Sequence, residues 1–287
     1  MENTATTRGE LVLVATPLGN LGDISKRALS LLETADIIYC EDTRHSRTLF
    51  SANQIAVNGR LRALHEHNEA SECEEIVSRV RSGQIVVIIS DAGTPGISDP
   101  GSRAVEAVAA EGLFVTTAPG PSAVIAALTI SGLPTERFVM EGFTPRKAGE
   151  RAALYELWAR EERTVIFYES PQRLTTTLGE LATLFPSRRV AVAREITKLH
   201  EEVIRGTLSE VAAIINDRDV LGELVVVLEG AGEQEPVTQA TVVAALREQL
   251  ANGESTRDAV AFVADSFGLA HREVYQLALE LRAGDAS

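Results

Sequence analysis

The stretch Ile85-Val-Val-Ile-Ile-Ser-Asp-Ala-Gly-Thr-Pro-Gly-Ile-Ser-Asp-Pro-Gly101 sets an apolar run against a loop that neither helix nor sheet can absorb. The run reads as a strand buried on both faces, the pattern of a parallel sheet. Residues 91–101 hold three glycines and two prolines. Proline lacks an N–H and fixes φ, while glycine reaches backbone conformations closed to other residues, so this segment is a defined loop. A helical pattern follows at 102–110. A Gly/Pro-rich loop between the carboxyl end of a parallel strand and a helix is where an open α/β sheet binds small molecules.

Two further loops repeat the arrangement. Thr16-Pro-Leu-Gly-Asn-Leu-Gly-Asp23 follows an apolar strand at 11–15 and precedes a helix near 24–32, with Asp23 or Ser25 as its cap. Ala118-Pro-Gly-Pro-Ser122 follows a strand at 113–117 and precedes a helix at 123–130, with Ser122 in the cap position. None of the three reads GxGxxG, and no GxxxxGK[ST] loop occurs anywhere in the chain. The pocket these loops build is expected to suit a ligand other than a pyrophosphate.

Working outward, strands at 36–40 and 62–65 and helices at 44–52 and 69–81 complete a βαβ series, which predicts a mostly parallel sheet covered on both faces. Beyond Ser122 the pattern changes. Strands at 138–142, 164–168, 189–194, 201–205 and 224–229 alternate with helices at 149–160, 172–184 and 209–216. The strands around Lys198 lie close enough in sequence to pair antiparallel, so a mixed sheet is expected. Gly230-Ala-Gly-Glu-Gln-Glu-Pro236 reads as a polar linker. The fold class is therefore α/β, with two α/β domains at 1–121 and 122–232 and a helical tail at 236–287. Within the tail, Ser255-Thr-Arg-Asp258 starts a helix and Phe267-Gly-Leu269 breaks it. This spacing suits a helix-turn-helix and equally a three-helix cap packed by Val263, Phe267, Leu269, Val274 and Leu277.

Composition narrows the class. At 287 residues, 45% hydrophobic and 24% charged, the chain is ordinary for a globular protein. Its apolar runs are strand-length, and residues 1–8 lack the apolar core of a signal peptide, so a cytoplasmic protein without membrane attachment is expected. Cys40 and Cys73 have neither CxxC spacing nor the numbers for a disulfide framework, and no metal site is expected. A formal charge of −14 argues against nonspecific attachment to nucleic acid, although arginines cluster locally at Arg44/Arg47, Arg146/Arg151 and Arg188/Arg189.

Pro17-Leu-Gly-Asn20, Cys40-Glu-Asp-Thr-Arg44, His65-Glu-His-Asn-Glu69, Ser90-Asp-Ala-Gly-Thr-Pro95, Ser98-Asp-Pro-Gly101 and Pro119-Gly-Pro-Ser122 follow one another in this order. With Glu141-Gly-Phe143, Phe167-Tyr-Glu-Ser-Pro171 and Ala193-Arg-Glu-Ile-Thr-Lys198, they closely resemble the ribosomal RNA small subunit methyltransferase I family, a branch of the tetrapyrrole methylases, or class III S-adenosylmethionine-dependent methyltransferases. The resemblance implies two α/β domains of the tetrapyrrole methylase type, S-adenosylmethionine in the cleft between them and a homodimer. The reaction it implies is 2′-O-methylation of a cytidine in the decoding centre of 16S rRNA, within the small ribosomal subunit.

The resemblance places the methyl donor against Pro17, Leu18 and Gly19, then Asp91, Gly93 and Thr94, then Ser122 and Ala123. Across the cleft it adds Phe167, Tyr168, Ala193 and Arg194, with Glu223 or Leu224. Displacement at a sulfonium methyl needs alignment and an acceptor for the hydroxyl proton. Ionisable groups at Glu41, Asp42, Arg44, His65, His67, Glu169, Glu195 and Lys198 offer themselves. Lys198 and Arg44 are assigned to RNA phosphate or a developing oxyanion, and Glu41, Asp42 and His67 to the polar wall that receives the ribose. Glu195 has two readings, a catalytic carboxylate or a structural ion pair with Arg194 or Lys198. A class III enzyme acting on a porphyrinoid and a non-enzymatic nucleic-acid-binding regulator remain as alternatives; the first is disfavoured by the absence of a GxGPGDP-type first loop.

Overall fold

The computed structural model describes residues 8–232, 238–267 and 269–284. Most of the linker expected before Pro236 and glycine 268 of the tail turn lie outside the described residues. The chain divides into two compact units, Met1–Gly232 and Glu233–Ser287.

In the first unit, β1 (Glu10–Val14), β2 (Ile37–Cys40), β3 (Leu61–Ala63), β4 (Ile85–Ile89) and β5 (Phe114–Ala118) form a sheet in the order β3-β2-β4-β1-β5, with every pairing parallel. Alternate side chains face opposite ways along each strand. Val12, Val14, Ile38, Cys40, Val87 and Ile89 face α1 (Lys26–Thr34) and α2 (Thr43–Ala52). Leu11, Ile37, Tyr39, Val86 and Ile88 face α3 (Glu69–Arg81) and α4 (Ser102–Ala110). Strands β1 and β4 are neighbours, yet their following helices α1 and α4 cover opposite faces. The loops leaving them part at that point and open a crevice at the carboxyl edge.

The second sheet has the order β6-β7-β10-β8-β9, built from β6 (Phe138–Phe143), β7 (Thr164–Glu169), β8 (Arg189–Arg194), β9 (Glu202–Thr207) and β10 (Leu224–Leu228). The pair β6/β7 is parallel and the rest are antiparallel, giving the mixed sheet that the sequence predicts. Val165, Phe167, Val192 and Val226 face α6 (Ala148–Trp158), α7 (Pro171–Leu184) and α8 (Leu208–Asn216). Ile166, Ala193, Val225 and Val227 face the other way, onto Val124, Ala127 and Leu128 of α5 (Ala123–Ser131). The helix that leaves the first sheet thus covers the second, and the chain changes sheets at residues 119–122.

Capping chemistry sharpens the element boundaries. Ser25 caps α1, its Oγ accepting from Ala28 N at 3.0 Å, whereas Asp23 ends a short 3-10 turn. Ser122 occupies the N-cap position of α5 but its hydroxyl makes no cap bond, which leaves that oxygen free for the crevice. In the second unit α9 (Gln239–Ala251), α10 (Thr256–Phe267) and α11 (His271–Gly284) enclose a core of their own, with Val242, Leu246, Val263, Val274 and Ala278 buried. No described helix is long and apolar enough to cross a membrane.

One buried carboxylate was not legible in the sequence. The N-cap of α4 is Gly101, at φ 132°, and has no side chain to offer the first-turn N–H groups. Glu69, 4% exposed, supplies the acceptor instead: its Oε1 takes bonds from the N–H groups of Gly101 and Arg103 at 2.9 Å and of Ala104 at 3.3 Å. This fixes the far end of the 91–101 loop to α3. A charged acceptor with three backbone donors is strong, and its removal orphans buried groups, so Glu69→Ala is expected to destabilise the first unit by about 3 kcal/mol. Glu69→Gln, which keeps one oxygen, is expected to lose less than half of that. Urea unfolding followed by circular dichroism checks this, and a shift no larger than that of an exposed glutamate would contradict it.

Candidate active site

The three Gly/Pro loops are stitched to one another by backbone bonds. Thr16 N donates to Gly93 O at 2.8 Å and Gly93 N returns a bond to Thr16 O at 3.0 Å, joining the ends of β1 and β4. The Thr16 hydroxyl donates to Ser90 O, and the Ser90 hydroxyl to Gly93 O. Thr94 Oγ1 donates to Pro121 O at 3.0 Å, which brings in the loop after β5. Gly93 has φ 82°, and a Cβ there would stand 3.2 Å from Leu18 Cδ2. Only glycine lets the two loops approach so closely without strain.

These loops and the second sheet enclose a cavity of about 360 Å³. That volume suits a small-molecule ligand rather than a folded polymer. From the first sheet come Leu18, Asp91, Gly93, Thr94, Ser122 and Ala123, all assigned to the methyl donor by the sequence. Tyr168 faces them from β7. Glu223 and Leu224, given as alternatives for the same ligand, line it as well, whereas the remaining assigned positions do not. Strand alternation turns Phe167 away, into the opposite core with its ring 4.9 Å from that of Trp158. Ala193 is buried among Ile166, Val225 and α5. Arg194 is spent on the Leu221 carbonyl at 3.1 Å and on Glu202 at 3.4 Å. Pro17 is buried, and the exposed Gly19 stands against the Lys198 stem, whose Cγ would lie 2.2 Å from a Cβ at that position.

The sequence-assigned cations and acids are also bound up with one another. Lys198 Nζ lies 2.9 Å from Glu195 Oε1 and 3.2 Å from Glu223 Oε2. Burial works against its charge, but the bonds to Glu195 and Glu223 outweigh this and hold its pKa above the ordinary lysine range. Glu195 also accepts from Glu223 N at 2.9 Å and packs against Gly222, where a Cβ would come within 2.4 Å of its carboxylate. The Lys198 hydrogen bond, then that backbone bond, keep the Glu195 carboxyl below its usual range. The ion pair that the sequence suggests for Glu195 is made with Lys198 rather than Arg194. Asp42 caps α2 by accepting from Arg44 N at 2.7 Å and pairs with the Arg44 guanidinium at 3.2 Å. The Arg44 side chain is 88% exposed. His65 and His67 stand edge to face in solvent, ring centroids 6.1 Å apart. Glu41 sits at the end of β2, where desolvation and then Asp91 push its carboxyl up.

Several cavity residues were missed or left unassigned. Ile97, Ser98 and Asp99 line the wall from the β4 loop, Phe143 from β6, and Ile196 and Gly222 from the second sheet. A bulge between Met140 and Phe143, with Gly142 at φ 71°, swings Phe143 over Tyr168 at a ring separation of 5.3 Å. The fully buried Glu169 carboxylate holds that corner. It accepts from Thr177 Oγ1 at 2.8 Å and from Thr144, and pairs with Arg173 at 2.5 Å. The quoted runs Ser98-Asp-Pro-Gly101 and Glu141-Gly-Phe143 carry Ser98, Asp99 and Phe143, but no local pattern gives their direction.

The cavity's field is negative. Asp91, Asp99 and Glu223 face it, and the Lys198 ammonium at its rim is already shared by two carboxylates. Burial, then Glu41, Asp91 and Glu223, push the Asp99 carboxyl up to about 7. Burial, then Asp99 and Glu223, push the Tyr168 hydroxyl up to about 12. Such a site favours a ligand carrying positive charge. No three His, Cys, Asp or Glu side chains among the described residues converge on a metal position.

Known proteins share both the fold and the sequence. Residues 10–212 match the Tetrapyrrole (Corrin/Porphyrin) Methylases, and residues 237–282 match the RsmI C-terminal HTH domain. Relatives named Ribosomal RNA small subunit methyltransferase I include those of Synechocystis sp. strain PCC 6803, 42% identical over 96% of this chain and 99% of that one, and of Mycobacterium tuberculosis H37Rv, 43% identical over 96% of each. The relative of that name from Thermotoga maritima is 43% identical over 77% of this chain and 99% of its own. Among solved structures, a cobalt precorrin-4 methyltransferase superposes with TM-score 0.59 at 17% identity, over 80% of this chain and 98% of that one. A uroporphyrin-III C-methyltransferase from Thermus thermophilus, complexed with S-adenyl homocysteine, gives 0.54 at 19%, over 77% and 97%. At that identity these structures speak for the fold alone, whereas the Synechocystis and Mycobacterium relatives, above 40% identical, match nearly the whole chain. The chain belongs to the ribosomal RNA small subunit methyltransferase I family of the tetrapyrrole methylases.

Proposed function

We propose that this protein transfers a methyl group from S-adenosylmethionine to the ribose 2′-oxygen of a cytidine in the decoding centre of 16S rRNA, acting in the cytoplasm on the small ribosomal subunit. The observation that carries this reading is the cavity itself. It is walled by backbone-rich loops, sized for a nucleoside-like ligand, and lined by more carboxylates than cations. S-adenosylmethionine, with a sulfonium and an ammonium against one carboxylate and no phosphate, fits that field. When bound, it supplies the methyl electrophile.

The chain's own residues then divide the work. Asp91, Thr94 and Ser122 are the polar groups that orient the methyl donor, with Leu18, Ala123 and Tyr168 as its apolar walls. Gly93 leaves room for close backbone approach. Lys198 and Glu195 set the height of the second wall, and Lys198 acts on charge near the rim only through what Glu195 and Glu223 leave uncompensated. Arg44 and His67, exposed beside the Asp42 turn, meet the RNA. The relatives' shared name at above 40% identity supports an RNA substrate over a porphyrinoid, since the porphyrin enzymes resemble this chain only in fold.

The helical unit is the part of the chain we relate to contact between this acidic protein and the ribosomal subunit. It has its own core and matches a helix-turn-helix domain, and we assign it to docking on the subunit. The Thermotoga maritima relative, whose length cannot hold counterparts of both units, supports treating the helical unit as separable from the rest of the chain. We also propose a homodimer. The edge strands β5 and β6 are paired on one side only and carry exposed Phe114 and Phe138.

Three outcomes are expected. Asp91→Ala and Gly93→Val each weaken S-adenosylmethionine binding on the order of tenfold or more, from a lost charged contact or a strained turn, while the circular dichroism spectrum is unchanged; calorimetry showing wild-type affinity for both would move the methyl donor out of these loops. Mapping of 2′-O-methyl groups on 16S rRNA is expected to show a cytidine modified in cells with the full chain, poorly modified with a chain ending at Gly232, and unmodified without the gene. An identical map in all three removes the assignment. Light scattering is expected to give twice the chain mass, and a monomer at micromolar concentration removes the dimer.

A further inference from the structure

Phe143 is the most exposed aromatic residue described in the first unit, at 59% against 41% for Phe114 and 38% for Phe138. Of these three it is also the one that lines the cavity. Its backbone is fixed on both sides. Gly142 precedes it at φ 71°, where a Cβ would stand 3.8 Å from Ser98 Oγ, so the bulge in β6 abuts the 91–101 loop of the first sheet. Thr144 follows it, buried, with its hydroxyl bonded to Glu169 and its carbonyl accepting from Arg173 Nη1 at 2.9 Å. The ring rests against Tyr168, and Ile97, 45% exposed, continues the same lip from the first sheet. A fixed backbone that holds apolar groups out in water, rather than folding them into a core, marks a contact surface.

The chain that continues from this ring carries charge. Most of the cations around it are spent: Lys147 Nζ lies 2.8 Å from Glu150, Arg151 makes a two-pronged pair with Glu180 at 2.7 and 2.9 Å, and Arg173 pairs with Glu169. Arg146 is exposed and, among the described residues, has no carboxylate within ion-pair distance. Its carbonyl accepts from Arg151 Nη1 at 2.8 Å, which fixes where the side chain leaves the loop. The wall of the cavity is acidic and the chain carries a charge of −14, so a phosphate brought to this mouth needs a cation of its own. Arg146, three residues from the exposed ring, supplies one.

The two reactants cannot share the interior. A volume of about 360 Å³ holds one small molecule, and the methyl donor takes it. The acceptor nucleotide is therefore met at the mouth, with its ribose turned inward and its base left at the lip. A base taken out of its stack has lost its neighbours' faces, and an aromatic side chain replaces one of them. We propose that Phe143 stacks on the base of the target nucleotide while Arg146 pairs with an adjacent phosphate, which makes the loop between β6 and α6 an RNA subsite. Stacking is blind to base identity, so this subsite positions the nucleotide without choosing it. The inference rests on the 2′-O-methylation reading of the same cavity.

The test uses the full chain, small ribosomal subunits and S-adenosylmethionine, with Phe143→Ala, Phe143→Leu, Phe143→Tyr and Arg146→Ala. With subunits below saturation, the single-turnover rate is expected to fall roughly 10- to 100-fold in Phe143→Ala, the range set by one lost base–aromatic stack. Phe143→Leu, apolar but not planar, is expected to stay close to the alanine variant, and Phe143→Tyr to return to within about threefold of wild type. Calorimetric affinity for S-adenosylmethionine is expected to change by less than about twofold in all four. Melting temperatures are expected to hold, because the altered side chains are exposed. Arg146→Ala is expected to weaken subunit binding and to lower the slope of log affinity against log salt by about one. A leucine variant as active as the tyrosine variant would make Phe143 a plain apolar wall. A loss matched by weaker S-adenosylmethionine binding would make it part of the methyl-donor site, and full rates in the alanine variant would remove the stack; each of these overturns the assignment. An unchanged salt slope in Arg146→Ala overturns the phosphate contact. Wild-type protein that leaves subunits unmethylated would instead overturn the reading on which the subsite rests.

Discussion

Everything about the cavity follows from the reciprocal backbone pair between Thr16 and Gly93. β1 and β4 run side by side, but α1 and α4 leave them for opposite faces of the sheet, and without a tie the two loops would part. The pair closes the floor of the crevice one step beyond the strand ends, with no side chain in the way because Gly93 has none. Thr94 then reaches Pro121 and commits the chain after β5 to the same floor. The next helix, α5, is directed onto the second sheet, and its Val124, Ala127 and Leu128 hold that sheet opposite the loops. A backbone constraint of a few ångströms thereby sets the spacing of two five-stranded sheets.

The electrostatics of this cleft differ from those of a phosphate-binding α/β site. There, helix N-termini and glycine-rich turns aim N–H groups at an anion. Here the N–H groups of the first turn of α4 are consumed by Glu69, and those at the start of α2 by Asp42. What remains exposed to the cavity is carboxylate. A negative site inside a chain of charge −14 repels a polyanion over distance. Steering by the whole surface therefore works against an RNA substrate rather than for it.

The sequence made the fold legible wherever a pattern is local. Apolar runs bounded by glycine and proline place the ten strands within a residue or two, and α3 and α4 begin and end where periodicity puts them. The loops that build the cavity were visible for the same reason. Direction was harder to see. Phe167 and Tyr168 are adjacent, and only the packing of β7 between two helix layers decides that Tyr168 faces the cavity and Phe167 faces Trp158. Long-range partners were not legible at all. Glu69 reads as an ordinary first-turn acid of its own helix, yet it caps another one. Asp99 reads as a turn residue in Ser98-Asp-Pro-Gly101, and the burial and the Glu41, Asp91 and Glu223 carboxylates that push it up to about 7 are not visible there. Lys198 has Glu195 as a partner within local reach, but its second partner, Glu223, arrives from before β10 and is not legible there.

The turn at 195–198 ties that lysine to the surrounding backbone. Glu195 and Thr197 both adopt positive φ, at 51° and 66°, without being glycine, an arrangement costing on the order of 1 kcal/mol or more each. Such a backbone persists only if its surroundings over-determine it. Glu195 is fixed by Glu223 N and Lys198, Thr197 N donates to Glu201 at 2.5 Å, and Asn20 N in the first loop donates to Thr197 Oγ1 at 3.2 Å. The last bond crosses from one sheet's loops to the other's, beside the Lys198 stem lying on Gly19. The strained turn is thus clamped from both sheets, and Ile196, held between its two positive-φ neighbours, is driven into the cavity wall. Pre-organisation of this kind spends folding energy to hold the second wall in place before any ligand arrives.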